Sequence, residues 1–419
     1  MDAGTLAWGI TSSALVLFMT PGVAFFYGGL VKAKSVVSMM MMSFGSMALI
    51  GVLWILYGFN MAAVANPWDF SGNPFANFAL SSPELTGSDY VLALFGSTFA
   101  IITVALISGA IADRARFGSW MIFAGVWATV VYFPVAAWVW GGGWIMNLGS
   151  MMFGDDSGIA VLDYAGGTAV HINAGAAALA LALVLGKRIG FQKGIQKPHN
   201  VPLVMLGASI LWFGWFGFNA GAEANWLNGD GSYGAMGPDS WAGIIVINTL
   251  GATAAAIIGW LIVEKFKDGK ATSVGAASGA VAGLVAITPA CAFLSPGWAL
   301  LLGLVTGAIC AFAIELKWKL GYDDSLDVVG IHLVGGIIGT LYLGFFATGT
   351  GLFLGGGWEQ LTVQAIAAFA VLIYSFVIAW VLGFAIEKTI GFRIKNEDEV
   401  AGVDTVVHGE EGYSLAEQA

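Results

Sequence analysis

Long apolar stretches separated by short polar segments cover most of this chain of 419 residues. A helix that crosses a bilayer needs about 20 predominantly apolar residues. Eleven stretches meet this requirement: 5–31, 36–65, 90–112, 117–139, 164–186, 201–222, 241–263, 272–291, 297–316, 329–349 and 360–386. The stretch 272–291 is the weakest, because it is rich in alanine and glycine, residues that allow close helix packing. The pattern predicts an all-α membrane protein with eleven transmembrane helices.

The composition excludes several classes of protein. Hydrophobic residues make up 58% of the chain and charged residues only 10%, whereas a soluble domain has about 25% charged residues. A soluble enzyme, a disordered protein and a nucleic-acid binder would all need polar surface that this chain lacks. These three classes are therefore excluded, with no nucleic-acid partner expected, and a polytopic membrane protein remains. We also expect no enzymatic activity, no cofactor and no metal site.

The basic residues orient the predicted helices. All 16 lysines and arginines lie in alternate loops or in the C-terminal tail, and such residues collect on the cytoplasmic side of a membrane. Eleven spans with the N-terminus outside and the C-terminus in the cytoplasm place every one of them on that side. The basic residues are Lys32, Lys34, Arg114, Arg116, Lys187, Arg188, Lys193, Lys197, Lys265, Lys267, Lys270, Lys317, Lys319, Lys388, Arg393 and Lys395.

The predicted outer loops carry acidic residues instead. A negative outer mouth favours a cationic solute, but acidic residues also simply keep outer loops soluble, and the pattern leaves both interpretations open. These acidic residues are Asp69, Glu84, Asp89, Asp155, Asp156, Asp163, Glu223, Asp230, Asp239 and Glu359.

Two histidines lie inside apolar stretches, each eight residues after an aspartate: Asp163 precedes His171, and Asp324 precedes His332. Eight helical residues rise about 12 Å, close to half of a hydrocarbon core of about 30 Å. Because spans 5 and 10 run in opposite directions, both histidines reach the midplane. Spans 1–5 and 6–10 thus read as an inverted repeat, a recurring plan of transporters, with a peripheral eleventh helix.

A histidine pair at mid-depth favours a functional site over a structural one. Ionisable groups within a membrane are functional in most cases, and a neutral imidazole donates from one nitrogen while it accepts at the other. Asp163 allows two interpretations that are compatible: it caps a helix, and it supplies a fixed negative charge near the outer mouth.

Several aromatic residues stand near the predicted outer mouth. Trp140 ends span 4, Phe95 and Phe99 share one face of span 3, and Trp215 and Phe218 share one face of span 6. Aromatic faces bind small cations, and rings stacked across a pore form an apolar constriction. For any single ring, core packing remains the simpler interpretation, but the set as a whole indicates a cation-recruiting mouth above a dry gate.

Sequence motifs along nearly the whole chain resemble those of the ammonium transporter (Amt/Mep/Rh) family, and of its bacterial and archaeal Amt members in particular. The stretches that carry the resemblance are Asp163-Tyr-Ala-Gly-Gly-Thr-Ala-Val-His171, Gly214-Trp-Phe-Gly-Phe-Asn-Ala-Gly221, Thr288-Pro-Ala-Cys291, Asp327-Val-Val-Gly-Ile-His332, Ala112-Asp-Arg-Ala-Arg-Phe117 and Asp404-Thr-Val-Val-His-Gly-Glu410.

The resemblance implies a homotrimer in the cell membrane, with eleven helices and one pore per subunit, that moves ammonium or methylammonium. It implies that Trp140 and Phe95 form an outer recruitment site, with Asp163 as a structural acid, and that Phe99 and Phe218 form a gate. It implies that His171 and His332 line the pore, with Trp215 and Thr288 adjacent to it.

One position departs from the family pattern. The family usually carries a serine after Phe-Asn-Ala-Gly, and its hydroxyl accepts a hydrogen bond from bound ammonium, whereas this chain has Ala222. A hydrogen bond to a charged group contributes about 1.5–3 kcal/mol. We therefore expect weaker recruitment, unless a nearby hydroxyl or carbonyl fills the role.

The resemblance and the histidine pair together indicate recruitment of ammonium, loss of its proton and passage of ammonia, with or without the proton, into the cytoplasm. Three alternatives stay open: a passive ammonia or gas channel of the Rh type, a low-flux ammonium sensor, and an ion-coupled transporter of another small solute. The last would need more polar groups than two histidines and several rings provide.

The chain divides into a transmembrane domain, residues 1–386, and a cytoplasmic C-terminal tail, residues 387–419. Composition alone favours a solvated tail. The match of residues 402–410 to the family favours a folded regulatory segment under the trimer, where a PII-type signal protein would plug the pore. Membrane lipid surrounds the predicted helices.

Overall fold

The structure is a computed structural model that describes residues 1–192, 197–225 and 240–413. Within these ranges the fold is helical, and the extended pairing consists of one isolated bridge between Ala115 and Arg393. Lys193, Asp230 and Asp239, which the sequence assigns to loops, lie outside the described residues.

The described residues contain ten helices that are long and apolar enough to cross a membrane, as expected for a multi-pass membrane protein. A shorter apolar helix, Ser273–Ile287, stands between the seventh and eighth of them. In chain order the helices are α1 (Ala3–Leu30), α2 (Ala33–Met61), α3 (Gly87–Ile111), α4 (Phe117–Val139), α5 (Gly167–Leu185), α6 (Val201–Ala224), α7 (Ala242–Asp268), α8 (Ser273–Ile287), α9 (Pro296–Leu320), α10 (Val329–Phe346) and α11 (Trp358–Thr389).

The helix α8 differs most from its predicted stretch, 272–291. It has 15 residues and is therefore about 22 Å long, and the chain continues from it in turns over residues 288–293. Thr288 still has helical backbone angles, but Pro289 has no backbone N–H and its ring clashes with the preceding turn, so the helix ends here although the apolar stretch goes on. The structure therefore leaves the prediction of an eleventh full span open.

Small residues let the helices approach closely. A methyl group at Gly207 of α6 would lie 2.2 Å from the backbone nitrogen of Phe26 in α1. Methyl groups at Gly303 and Gly307 of α9 would lie 2.1 and 2.0 Å from carbonyl oxygens of α7. Such contacts are typical of helices that pack within a bilayer. They hold α1 against α6 and α7 against α9.

Loops that carry the basic residues meet on one face of the bundle, which we call the basic face. Arg188, after α5, forms ion pairs with Asp113, after α3, at 2.9 Å and with Asp323, after α9, at 2.8 Å. Arg116 donates a backbone hydrogen bond to Phe392, after α11, at 2.9 Å. Three loops are thus joined by buried ion pairs, and the segment after α11 is joined to them by a backbone hydrogen bond.

The tail follows this face as an ordered segment. The carboxylate of Asp404 accepts hydrogen bonds from the backbone nitrogens of Val37 and Ser38 in the first turns of α2, at 3.0 and 2.7 Å. The hydroxyl of Tyr413 lies 2.9 Å from Nε2 of His199 in the loop before α6. The described tail therefore packs on the loops. Its cytoplasmic location and its regulatory role remain predictions.

Candidate functional site

The site begins with two aspartates that cap the histidine-bearing helices. The carboxylate of Asp163 accepts hydrogen bonds from the backbone nitrogens of Gly166, Gly167, Thr168 and Ala169, and from the Thr168 hydroxyl. It thereby satisfies the donors that the first turn of α5 leaves free. This is why α5 begins at Gly167 instead of at the predicted residue 164.

Asp324 occupies the corresponding position before α10. Its carboxylate accepts hydrogen bonds from the backbone nitrogens of Val328 and Val329, at 3.1 and 2.7 Å. Burial raises the pKa of Asp324 to about 6, against the opposing effect of the nearby Lys317 ammonium. The eight-residue spacing seen in the sequence thus begins at a helix cap in both halves.

The two helices bring His171 and His332 together. Their Nδ1 atoms lie 3.2 Å apart, and both side chains are buried. Each histidine lies in a π-helical turn, Gly167–Ile172 in α5 and Val329–Leu333 in α10, and such turns are frequent at functional sites. One Nδ1 donates to the other, so the pair shares a single hydrogen bond. His171 Nε2 has no hydrogen-bond partner among the described residues.

A stack of aromatic rings leads from the histidines toward the face opposite the basic one. His171 lies parallel to Trp215, with ring centroids 5.5 Å apart, and 6.2 Å from the ring of Phe218. Phe218 stacks on Phe99 at 4.1 Å with an interplanar angle of 26°. Both phenyl groups are almost fully buried. The two stacked rings thus lie between Trp140 and His171.

Beyond this pair of rings the residues predicted for recruitment lie close together. The Phe99 ring centroid is 4.8 Å from that of Phe95 and 6.1 Å from that of Trp140. The indole nitrogen of Trp140 donates to the carbonyl of Asp163 at 2.8 Å. This bond fixes the indole next to the cap of α5. Ala222, one turn beyond Phe218 on α6, is nearly buried and offers no polar side-chain atom.

Trp215 and Thr288 are joined by a hydrogen bond beside His171. The indole nitrogen of Trp215 donates to the Thr288 hydroxyl at 2.8 Å, and that hydroxyl donates to the carbonyl of Leu284 at 2.7 Å. The turn that ends α8 thereby fixes the indole against His171.

Two groups beside the site escaped functional prediction. Tyr164, next to Asp163, donates to the carboxylate of Glu223 at 2.5 Å, and Glu223 also accepts from the backbone of Trp241 at 3.1 Å. Burial raises the pKa of the Tyr164 phenol well above its ordinary value, and the hydrogen bond to Glu223 adds to this effect. The sequence showed Glu223 only as one of many outer acids, because its partner lies 59 residues away.

The residues Val23 and Tyr27 of α1 also went unnoticed, since they look like ordinary core residues. Together with His171, Trp215 and His332 they line a small buried cavity at the histidine pair. The helix α1 therefore contributes part of the wall of this cavity.

On the basic face, Arg114 is fully buried and donates to the carbonyl of Asp323 at 2.6 Å and to the Ser325 hydroxyl at 2.5 Å. Burial lowers the pKa of Arg114 to about 10. For Arg188, burial acts in the same direction, but the hydrogen bonds and charges of Asp323 and Asp113 outweigh it and raise the pKa. Asp323, which pairs with Arg188, directly precedes Asp324. The ion pairs therefore lie next to the cap of α10.

Comparisons with known proteins show which family this chain is similar to. The model of the Ammonium Transporter Family matches residues 7–413. An ammonium transporter of Mycobacterium tuberculosis is 48% identical over 456 residues, covering 99% of this chain and 91% of that protein. The ammonium transporter Amt1 of Archaeoglobus fulgidus is 37% identical and covers 99% of this chain and all of that protein.

Among solved structures, Candida albicans Mep2 superposes with a TM-score of 0.83 at 32% identity, covering 95% of this chain and 88% of that one. A structure titled Sensor Amt Protein superposes with a TM-score of 0.85 at 26% identity, covering 96% and 97%. The chain belongs to the ammonium transporter family. Membership and shared fold together support ammonium transport as its activity.

Proposed function

We propose that this protein recruits ammonium at Trp140 and Phe95 and passes ammonia, together with a separately conducted proton, along the histidine pair. The observation that carries the proposal is the continuous row of buried groups from Trp140 through Phe99 and Phe218 to His171. The recruitment site lies beside Ala222 and the capped carboxylate of Asp163, where the indole of Trp140 is fixed.

The row of groups separates a cation site from a dry interior. Aromatic faces attract ammonium, and the carboxylate of Asp163 belongs to the same residue whose backbone carbonyl holds the Trp140 indole. Past Phe99 and Phe218 the environment is apolar, and a charge there is costly. Ammonium avoids this cost by losing its proton, which potassium cannot do. The difference is a sufficient basis for selectivity.

The histidine pair then offers polar atoms where the path is narrowest. Because the Nδ1 atoms bond each other, each ring presents Nε2 to its other side. The buried Nε2 of His171 can bind ammonia or receive a proton. Trp215 and Thr288 keep the imidazole in this orientation.

Several further features belong to the same proposal. The basic face is cytoplasmic, so transport runs from the aromatic site into the cell across the plasma membrane. Spans 1–5 and 6–10 form an inverted repeat of ten crossings, with a peripheral eleventh, and the two capped histidine helices support this repeat. Three copies assemble in lipid with one pore each, and the ordered tail on the basic face is a docking place for a PII-type protein.

Current recording on proteoliposomes tests the central proposal. Ammonium and methylammonium pulses should evoke currents in the wild type and potassium pulses should not. His171→Ala and His332→Ala should reduce the ammonium current at least about tenfold, which is about 1.4 kcal/mol of barrier height, with unchanged thermal midpoints. Wild-type currents and selectivity in both variants would exclude the histidine pathway, and flux without current would favour a passive ammonia channel.

A matched pair on α6 tests the gate. Phe218→Ala should admit potassium, because it opens the stacked rings, whereas Phe213→Ala removes an exposed ring from the same helix and should behave as wild type. Equal selectivity of the two variants would contradict the gate.

The orientation is tested by labelling from one side. Phe75→Cys and Phe266→Cys place thiols at exposed positions of opposite faces, and the native Cys291 and Cys310 are buried. In intact cells an impermeant reagent should modify residue 75 and spare residue 266. The reverse result would invert the topology.

A further inference from the structure

The outer end of α1 reaches the proposed recruitment site at Ser12. A methyl group at Gly221 would lie 2.7 Å from the Ser12 hydroxyl oxygen and 2.7 Å from Cε2 of Phe95. The hydroxyl and the edge of the Phe95 ring are therefore no more than 5.4 Å apart, the sum of these two distances. Ser12 is fully buried, although nothing in the sequence distinguished it from other small residues of α1.

The position of Ser12 on α1 places it on the face that lines the path. Val23 lines the cavity at the histidine pair, and Ser12 precedes it by eleven residues. Eleven residues of α-helix complete about three turns and rise about 16 Å. Ser12 thus shares the face of Val23 at the level of Phe95 and Gly221. The neighbouring Ser13 lies about 100° away around the helix.

The chemistry of the site requires an acceptor at this level. Ammonium has four N–H groups, and the faces of Trp140 and Phe95 accept from only some of them. The Ser12 hydroxyl donates to the carbonyl of Gly9 at 3.1 Å, which leaves its oxygen lone pairs free to accept. Ala222 provides no acceptor in its side chain.

We propose that Ser12 is a binding residue of the recruitment site, which accepts a hydrogen bond from ammonium in place of a hydroxyl at position 222. The inference rests on the proposed function of Trp140 and Phe95. The hydrogen-bond acceptor for ammonium would thus lie on α1 instead of α6, on the other side of the contact between Gly221 and Ser12. A serine at 222 and the serine at 12 would then serve the same ligand from two adjoining helices.

The inference is tested by titrating transport current against ammonium concentration. Ser12→Ala should raise the half-saturating concentration about three- to tenfold, since a hydrogen bond to a charged group is lost, and should leave the maximal current unchanged. Ala222→Ser should restore affinity in the Ser12→Ala background, and its effect there should exceed its effect in the wild type. Ser13→Ala, which removes a hydroxyl bonded to the same carbonyl, should titrate as wild type.

The controls separate this inference from the proposed function. Trp140→Leu should raise the half-saturating concentration; if it does and Ser12→Ala does not, the inference alone is wrong. If neither variant changes the titration, the recruitment site itself is wrong. A loss in Ser12→Ala that Ala222→Ser does not restore would show a packing effect and overturn the inference. Ser12→Cys, which keeps the volume with a poor acceptor, should reproduce the loss if Ser12→Ala does not fold.

Discussion

The two histidine-bearing helices begin alike but lie in different surroundings. In both, an aspartate eight residues before the histidine caps the first turn. Asp163 accepts from four backbone nitrogens and a hydroxyl, whereas Asp324 accepts from two. Around Asp163 the neighbours are aromatic rings and carbonyls, and around Asp324 they are ion pairs. The equal aspartate–histidine spacing therefore predicts equal depth for the two histidines. The residues around the two aspartates differ, and they suit different roles at the two ends of the molecule.

The difference follows the charge of the two faces. The acidic end offers Trp140 beside a capped carboxylate, an arrangement that suits a cation. At the basic end, Arg114 and Arg188 join the loops through buried hydrogen bonds and ion pairs. Such contacts hold the loops in a fixed arrangement. The described part of the tail packs on the basic face, which is the Asp324 end of the molecule.

The largest expected effect comes from removing the two caps. Asp163→Ala should lower the free energy of unfolding by about 3 kcal/mol or more, because several buried N–H groups lose their acceptor at about 1–3 kcal/mol each. Asp324→Ala should cost about half as much, since it releases only two. Thermal unfolding in detergent measures both. Equal losses would mean that the caps are equivalent and that the comparison of the two ends fails.

Removing the tail should have a smaller effect on stability and a clear one on transport. Truncation after Lys395 removes Asp404, a cap of α2 worth about 1 kcal/mol, and the contact of Tyr413 with His199. The maximal ammonium current should fall while the proposed trimer stays intact. Asp404→Ala should reproduce part of the loss, and Glu397→Ala, which removes an exposed tail carboxylate, should not. Unchanged transport in the truncated protein would leave the tail a solvated appendage.

The smallest effect concerns pH. The pKa of Asp324 is about 6 in the folded protein and close to 4 in an unfolded chain. Its stabilising contribution is thus present at low pH and is lost as pH rises through about 6. Between pH 5 and pH 7.5 the wild type should lose about 1 kcal/mol relative to Asp324→Asn, measured as the difference between their thermal midpoints. Glu397→Gln serves as the control, and parallel pH profiles of wild type and Asp324→Asn would contradict the assignment.

Much of this protein could be predicted because membrane helices obey local rules. Apolar length predicts where helices lie, and ten of the predicted stretches correspond to helices of spanning length. The aspartate–histidine spacing is also local, so it indicated that His171 and His332 reach one depth. The family resemblance is confirmed by the match over residues 7–413. The roles of the individual site residues stay predictions.

The sequence by itself determined where ten helices of spanning length lie, how charge is segregated among the loops and which residues are candidates for the path, since each depends on residues close together in the chain. Only the tertiary structure decided that Ser12 meets Gly221 and Phe95, that Arg114 is buried, and that Tyr413 reaches His199. These contacts join residues far apart in the chain, and their formation depends on which helices pack together. Small residues at the interfaces of α1 with α6 and of α7 with α9 set the distances between these helices. A hydropathy profile does not show which helices pack together.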